Sequence, residues 1–311
     1  MTENFEARWE HVKGNTWCMI TQNAYIPVYI LEDNRAIMLD SGWQDDLQDI
    51  LRLLEEKNLK LTAILTTHDH PDHVGNHKAL KERFGAKVYM GPFCACSCTD
   101  PMNMFATLGG RAGYRVVRDR TGRFCEPDYI IPWKDGEITV EGATFQTVMT
   151  AGHCAEQFTL ITPDNVAYVG DALLSIDEII HTRLHYTTGI EVDFQSKKKI
   201  AQLPCDKFII AHGAIVDDIR ETVQVNIDVT NQHLDDFEML ADELLSPDAL
   251  IRKYIIHSGG NLARWRSVRG AHYNAQAYLS YLVDTKRLKL IIDDGYLKYV
   301  RPDCLPQEAK Q

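Results

Sequence analysis

The sequence lacks any long apolar run. No stretch approaches the roughly 18 consecutive apolar residues that a membrane helix needs, and the opening MTENFEARWEHVKGN has no apolar core of signal-peptide length. Low-complexity tracts and repeats at a fixed period are also missing. We therefore expect a cytoplasmic globular protein with no membrane partner.

A cysteine pattern typical of disulfide-rich proteins is also absent. The eight cysteines are irregularly scattered, and a chain of 311 residues can bury a core without disulfide bonds. Cys94, Cys96 and Cys98 are spaced two residues apart, which is not the C-x-x-C spacing of most zinc knuckles. We expect reduced thiols, and for this triplet packing rather than a metal or redox site.

Basic residues are outnumbered by acidic ones, 33 Lys and Arg against 44 Asp and Glu. The formal net charge is −11, which argues against a general binder of polyanions. The charge is unevenly spread, because residues 251–311 carry 11 Lys and Arg against 5 Asp and Glu, whereas residues 1–250 have a net charge of −17. This asymmetry indicates two modules, and it leaves nucleic acid as an alternative partner that we do not favour.

The order of predicted elements divides the chain after residue 225. Residues 1–225 alternate strands with helices, as expected for an α/β domain. Residues 226–311 contain predicted helices followed by a predicted hairpin, the order of a small winged-helix-like module. The predicted segments of this module are 226–245, 246–257 and 274–285 for the helices, and 288–292 with 296–301 for the hairpin.

Residues that ligate metals are concentrated after a short, buried strand predicted at 61–67. The run His68-Asp69-His70-Pro71-Asp72-His73 supplies three imidazoles and two carboxylates within six residues. Three more predicted strands end in a ligand type next to glycine, which allows a tight turn beside an ion. These ends are Gly152-His153, Gly170-Asp171 and His212-Gly213. So many close imidazoles and carboxylates would be costly without a cation.

The pattern resembles the metallo-beta-lactamase superfamily, in which H-x-H-x-D-H is followed by Gly-His, Gly-Asp and a final His-Gly. The resemblance covers residues from about 17 to 225 and includes Asp40-Ser41-Gly42, similar to the structural Asp-x-Gly of the family. It implies a four-layer αββα sandwich that binds two divalent metal ions, with zinc as the default and iron or manganese as alternatives. The ligands implied are His68, His70 and His153 for the first ion, Asp72, His73 and His212 for the second, and Asp171 between them.

The same resemblance implies hydrolysis by a metal-bound hydroxide. Asp72 is then the catalytic residue that orients the water or accepts its proton, and Asp40 holds a ligand histidine in its correct tautomer. Our first hypothesis is a glyoxalase II-like hydrolase of a small, anionic thioester or ester. At Val74-Gly75-Asn76-His77 the sequence departs from the glycine pair of those relatives, which leaves glutathione as the thiol carrier open.

Two other functions stay open. An arginine-rich stretch that includes Arg111 and Arg115, together with the basic C-terminal module, suits a phosphodiesterase or ribonuclease. A mononuclear iron dioxygenase would keep the same ligand run. We name Arg111, Arg115, His185 and Tyr186 as candidate substrate residues. For the C-terminal module we favour a structural or homodimer-forming role.

Overall fold

The computed structural model of the protein describes residues 5–107 and 124–306. They form two compact units. The first contains the described residues of Met1–Ser175 together with Ser196–Val223, and the second those of Ile176–Gln195 together with Gln224–Gln311. The break near residue 224 lies close to the boundary predicted from the sequence. Residues 176–195 group with the C-terminal unit, which no local sequence pattern indicates.

The first sheet follows the order of the chain. Strands β1 to β4 pair in antiparallel fashion, and β4 to β7 pair in parallel. Parallel neighbours require helical crossovers, which explains the alternation of strands and helices after β4. Within the described residues the strands are β1 (Arg8–Lys13), β2 (Thr16–Ile20), β3 (Tyr25–Ile30), β4 (Arg35–Leu39), β5 (Lys60–Leu65), β6 (Lys87–Met90) and β7 (Tyr129–Ile130).

The second sheet has the spatial order β13-β12-β11-β10-β9-β8. Only the β11–β12 pair is parallel among these described strands. The strands are β8 (Gly136–Val140), β9 (Ala143–Met149), β10 (Phe158–Ile161), β11 (Val166–Tyr168), β12 (Lys207–Ile210) and β13 (Ala214–Val216).

The two sheets pack face to face. Leu39 and Leu65 of the first sheet share one buried apolar cluster with Phe145, Phe158 and Ile209 of the second. Successive side chains of a strand point to opposite faces, so the neighbouring residues of β4 and β5 point the other way. There they pack against residues of helices α1 (Leu47–Glu56), α3 (His77–Phe84) and α4 (Pro92–Thr99). The outward-facing residues of β12 in the second sheet are also buried. This is the predicted mixed α/β sandwich.

Short helices frame the predicted ligand run. Helix α2 (Pro71–Val74) begins within it, and α3 follows and ends at Gly85, which has a φ of +70°. Glycine is the residue that most often occupies such a left-handed cap at the end of a helix. Helix α5 (Pro101–Thr107) completes this part of the unit.

The second unit is mainly helical. Its core includes Phe237, Leu250, Tyr254, Tyr278 and Leu282. Its described residues contribute to helices α6 (Ile176–His181), α7 (Ile190–Ile200), α8 (Arg220–Leu240), α9 (Pro247–His257) and α10 (Trp265–Asp284), and to a hairpin of β14 (Lys289–Asp293) and β15 (Tyr296–Val300).

The predicted helices and hairpin are present, but α10 begins nine residues before the predicted start at residue 274. The stretch that precedes residue 274 contains Gly270, and glycine is a poor residue in a helix interior, so the local preference for a helix is weaker there. The winged-helix assignment stays a prediction. No helix among the described residues has the length and apolar character needed to cross a bilayer.

Candidate metal centre

The ends of four strands bring the predicted ligands together. The run that begins at His68 follows β5, and Asp171 and His212 come within three residues of the ends of β11 and β12. His153 follows the end of β9. Pairing aligns β11 with β12, and the face-to-face packing of the sheets places β5 opposite them. Residues distant in sequence therefore meet at one edge of the sandwich.

Two groups of side chains have the arrangement of metal sites. The first contains His68, His70, His153 and Asp171, and the second contains Asp72, His73, Asp171 and His212. Within each group the ligand atoms all lie within 4.8 Å of one another. Asp171 belongs to both groups, so one carboxylate contacts both clusters.

The shortest distances show how close the groups are. In the first group, His153 Nε2 lies 2.8 Å from His70 Nδ1 and 3.4 Å from Asp171 Oδ2. In the second, Asp171 Oδ1 lies 3.1 Å from His73 Nε2 and 3.5 Å from His212 Nε2. The two oxygens of Asp171 therefore face different groups, as a bridging carboxylate would.

Buried polar atoms with unused hydrogen-bonding capacity indicate that cations fit here. His68 Nε2, His73 Nε2 and Asp171 Oδ1 are buried and have no hydrogen-bond partner in the part of the chain that the structure describes. Leaving such atoms unsatisfied costs about 1–3 kcal/mol each. Imidazole and carboxylate are the donors that zinc and related ions prefer. The donor set and its unsatisfied atoms thus fit two divalent cations.

Asp40 sets the orientation of one histidine in each group. Its Oδ2 accepts from His73 Nδ1 at 2.7 Å and from the Thr67 hydroxyl at 2.7 Å. Because that hydroxyl donates to Asp40, its oxygen is left to accept from His68 Nδ1, 3.0 Å away. Both rings then carry their proton on Nδ1 and present the Nε2 lone pair to a metal.

The position of Asp40 is tightly constrained. Its side chain is buried, its Oδ1 accepts the Thr67 backbone N–H at 2.7 Å, and its φ is +63°. A left-handed backbone is uncommon for residues other than glycine, although Asp and Asn tolerate it best. Strain of this kind is concentrated at functional sites.

Without cations, the negative charge of the carboxylates can be neutralised only by protonation of the side chains in the centre. Burial lowers the pKa of His68 and lowers that of His153 to about 3, so these rings are neutral. Burial also opposes protonation of His73, but the carboxylates of Asp171, Asp40 and Asp72 raise its pKa well above the ordinary value. The carboxylates therefore demand positive charge, which is the role that metal ions fill in such sites.

The predicted catalytic residue, Asp72, lies in the second group. Its Oδ2 is 3.1 Å from His212 Nε2 and 3.8 Å from His73 Nε2. Burial opposes its ionisation, yet the neighbouring His73 and His212 lower its pKa to about 2. A carboxylate at this position is an acceptor for hydrogen bonds, and its catalytic role stays a prediction.

His77, four residues after the ligand run, has both ring nitrogens occupied. Ser41 Oγ lies 2.6 Å from Nδ1 and Thr66 Oγ1 lies 2.7 Å from Nε2. Burial, with a smaller contribution from His73, lowers the pKa of His77 to about 3. This neutral ring anchors α3 to the loop at Ser41 instead of contributing to either metal group.

The candidate substrate residues are placed elsewhere or not described. His185 is buried in the second unit, with Tyr278 Oη 3.0 Å from its Nδ1 and Thr230 Oγ1 3.2 Å from its Nε2. These contacts favour a structural role for His185 over the substrate role expected from the sequence. Tyr186 is half-buried, and its role stays a prediction. Arg111 and Arg115 lie outside the described residues.

The cysteines do not join either metal group among the described residues. Cys94 and Cys98 are buried on α4 with their sulfurs 4.0 Å apart, and Cys96 is exposed. Cys154, next to the ligand candidate His153, donates from Sγ to the backbone oxygen of Glu156 at 2.9 Å. Burial raises the pKa of Cys94 and Cys154 well above the ordinary value, which makes them poor thiolate ligands.

The sequence reading missed two contributors to this centre. Thr67 links Asp40 to His68, and only its position directly before the ligand run could have suggested a role. Gly75 is packed so closely that a Cβ there would lie 2.6 Å from Gln44 N and 2.6 Å from Gly42 O. A glycine is therefore required for the ligand loop to pack against the loop after β4.

Comparison with known proteins places the chain in a family. The profile of the Metallo-beta-lactamase superfamily matches residues 23–212. The chain belongs to this superfamily, and the match spans both metal groups. Two solved structures show the same fold: a metallo-beta-lactamase family protein from Thermus thermophilus, and a beta-lactamase domain protein from Burkholderia ambifaria.

These structures align over most of the chain. The Thermus protein has a TM-score of 0.66 at 19% identity, covering 89% of this chain and 93% of its own. The Burkholderia protein has a TM-score of 0.69 at 16% identity, covering 94% and 93%. At such identities the likeness concerns the fold alone.

Curated relatives are more similar in sequence but are matched only in part. An atrochrysone carboxyl ACP thioesterase from Aspergillus fumigatus is 27% identical over 203 residues, which are 62% of this chain and 51% of the relative. A hydroxyacylglutathione hydrolase from Photobacterium profundum is 28% identical over 176 residues, 55% of this chain and 54% of the relative. The chain spans about half the length of these two curated relatives.

Proposed function

We propose that the protein is a dinuclear metal-dependent hydrolase that acts on a small thioester or ester. The observation that carries this proposal is the position of Asp171, whose two oxygens face two separate groups of ligand atoms. Two divalent ions held in this way supply an activated water and polarise the carbonyl oxygen of the substrate. The names of the relatives, a thioesterase and a hydroxyacylglutathione hydrolase, support a thioester as the substrate class.

The residues of the chain divide the remaining work. Asp40 and Thr67 keep His68 and His73 in the tautomer that presents Nε2. Asp72 belongs to the second ligand group and would be a carboxylate with the ions bound, because metal ligands bind in their deprotonated form. It is therefore able to accept a hydrogen bond from water and hold that water in one orientation.

We propose zinc as the metal, because imidazole and carboxylate donors with a position left for water are typical of catalytic zinc. Iron and manganese suit the same donors, and availability in the cell matters as much as affinity. Metal analysis of protein purified without added metal tests this point. Two equivalents of zinc per chain are the expected result, and one equivalent of iron would contradict it.

The completeness of the second group favours a dinuclear centre over a mononuclear iron oxygenase. Asp72, His73 and His212 converge with Asp171 as closely as the first group does. A mononuclear enzyme would need only one of these groups. Oxygen consumption on a persulfide substrate, together with a single bound iron, would overturn the dinuclear proposal.

The substrate class is tested with a matched panel on the metal-loaded protein. It contains hydroxyacylglutathione, an acyl thioester of a different thiol, a simple ester, a cyclic phosphodiester and a short RNA. We expect thioester hydrolysis, and Asp171→Asn should abolish it. Asp164→Asn is the matched control, since Asp164 is in neither metal group. Its carboxylate accepts hydrogen bonds from the backbone N–H of Asn15, in the turn before β2, and from the hydroxyl of Thr16, the first residue of β2. Activity confined to phosphodiesters would refute the thioester proposal and favour a nuclease.

The small anionic substrate, the homodimer and the cytoplasmic location expected from the sequence stay predictions.

A further inference from the structure

A cavity of about 240 Å³ lies within the second unit. Its walls come from three pieces of chain: residues 181–184, the end of α9 with the turn that follows, and the first half of α10. At about 30 Å³ per molecule of liquid water, the space equals roughly eight waters. It is therefore large enough for a small organic molecule.

One wall of the cavity is held in place by the two helices. Tyr254 of α9 donates from Oη to the backbone oxygen of Arg183 at 2.5 Å. Asn274 of α10 donates from Nδ2 to the backbone oxygen of Leu184 at 2.7 Å. Two consecutive carbonyls of the wall are thus fixed by side chains that also line the cavity. The cavity is preformed, which reduces the entropy lost on binding.

The polar lining includes a permanent positive charge, the guanidinium of Arg183. Arg183 and His181 line the cavity, and Ser267 adds a hydroxyl. None of the described lining residues carries a carboxylate, and in the part of the chain that the structure describes no acidic side chain pairs with Arg183. A guanidinium without an acidic partner is suited to bind a carboxylate or phosphate through two parallel hydrogen bonds.

The rest of the lining is apolar. Leu184, Ile255 and Ala271 contribute aliphatic surface beside the guanidinium of Arg183. A ligand that suits both surfaces carries an anionic head and a short hydrocarbon portion, because each part then meets its own kind of surface.

We propose that this cavity binds a small organic oxyanion, a carboxylate or phosphate on a short aliphatic chain, with Arg183 as its anchor. The proposal goes beyond metal-dependent hydrolysis, because all the lining residues belong to the second unit and none belongs to either metal group.

Gly270 offers a way to fill the cavity without disturbing its charge. It lines the cavity within α10, and a Cβ built on it meets no atom within 4 Å. The Cβ of a replacement is thus accommodated, and Gly270→Leu should extend into the space that Gly270 lines, while Gly270→Ala leaves most of it empty. Both replacements favour the helix, since glycine is a poor residue in a helix interior.

Calorimetric titration of the full-length, metal-loaded protein tests the proposal with hexanoate, hexyl phosphate, hexanol and hexylamine. We expect one or both anions to bind and the alcohol and amine not to bind; the tighter anion identifies the head group. Arg183→Gln should weaken binding about 10- to 100-fold, as expected for a lost charge-assisted contact. Arg252→Gln removes an exposed cation of α9 that does not line the cavity, and should change nothing.

The variants Gly270→Leu and Gly270→Ala test whether the anion binds inside the cavity or is attracted only by the net charge of the protein. Gly270→Leu should abolish binding and Gly270→Ala should retain it, and neither variant should unfold at a lower temperature than the wild type. Asp171→Asn should leave the affinity unchanged, so that failure of the hydrolase proposal does not affect this one. Absence of anion binding, equal binding of hexanol, or loss of binding in Asp171→Asn would each overturn the proposal.

Discussion

Replacing Asp40 by Asn tests whether one buried carboxylate orients ligands of both metal groups. The wild-type carboxylate accepts three hydrogen bonds of 2.7 Å, from Thr67 N, Thr67 Oγ1 and His73 Nδ1. Asn tolerates the φ of +63° as Asp does, so the backbone is not strained further. If the amide oxygen keeps the Thr67 backbone N–H, the amide NH₂ faces the two remaining donors.

The size of the effect follows from those contacts. Each lost charge-assisted hydrogen bond is worth about 1.5–3 kcal/mol, and loss of a carboxylate behind a ligand histidine typically weakens metal binding about 10- to 100-fold. We therefore expect weaker binding at both groups in Asp40→Asn, because His73 is contacted directly and His68 through Thr67. Competition with a graded chelator, followed by metal analysis, measures both constants.

Asp46 provides the matched control. It is as buried as Asp40 and accepts hydrogen bonds from Asn23 Nδ2 at 2.9 Å and Trp43 N at 2.8 Å, but it belongs to neither metal group. Asp46→Asn should leave metal affinity unchanged. The reasoning is refuted if Asp40→Asn holds both ions as tightly as the wild type, or if both variants lose metal equally.

Three further outcomes are expected. Thr67→Val keeps the side-chain shape but removes the hydroxyl, and should lower the affinity for the metal ion of the first group about tenfold in chelator competition. Thr67→Ser keeps the hydroxyl and should not lower that affinity. Equal affinities of the two variants would exclude the role of Thr67 as the link between Asp40 and His68. Removing metal with a chelator should lower the melting temperature, and added zinc should restore it. Ligands that bind only the folded state stabilise it, by about 4 kcal/mol at a thousandfold excess over Kd. An unchanged melting temperature after verified metal removal would contradict the assigned sites. Gly75→Ala places a Cβ 2.6 Å from backbone atoms of Gln44 and Gly42 and should cost about 1–3 kcal/mol in urea unfolding. Gly136→Ala, where a Cβ meets nothing within 4 Å, is its control, and equal stability of the two variants would disprove the packing argument.

The part of the candidate site that could be predicted from the sequence is the part whose chemistry is local. The run from His68 to His73 lies in one short loop, so its spacing alone limits which atoms can converge on a cation. Glycines beside His153, Asp171 and His212 mark turns that few other residues accommodate. Such features can be predicted from the sequence because they depend only on neighbours within a few positions.

The sequence by itself determined the ligand types, the strand ends that carry them and the left-handed cap at Gly85, since residue chemistry and backbone preference act locally. Only the tertiary structure decided that His77 is bound by Ser41 and Thr66, and that Thr67 connects Asp40 to His68. It also decided that residues 176–195 join the C-terminal unit, where His185 meets Tyr278. The physical reason is that an isolated histidine has the same local pattern whether it binds a metal or a hydroxyl. Which of the two it meets depends on chain segments that come close only when the sheets and helices pack.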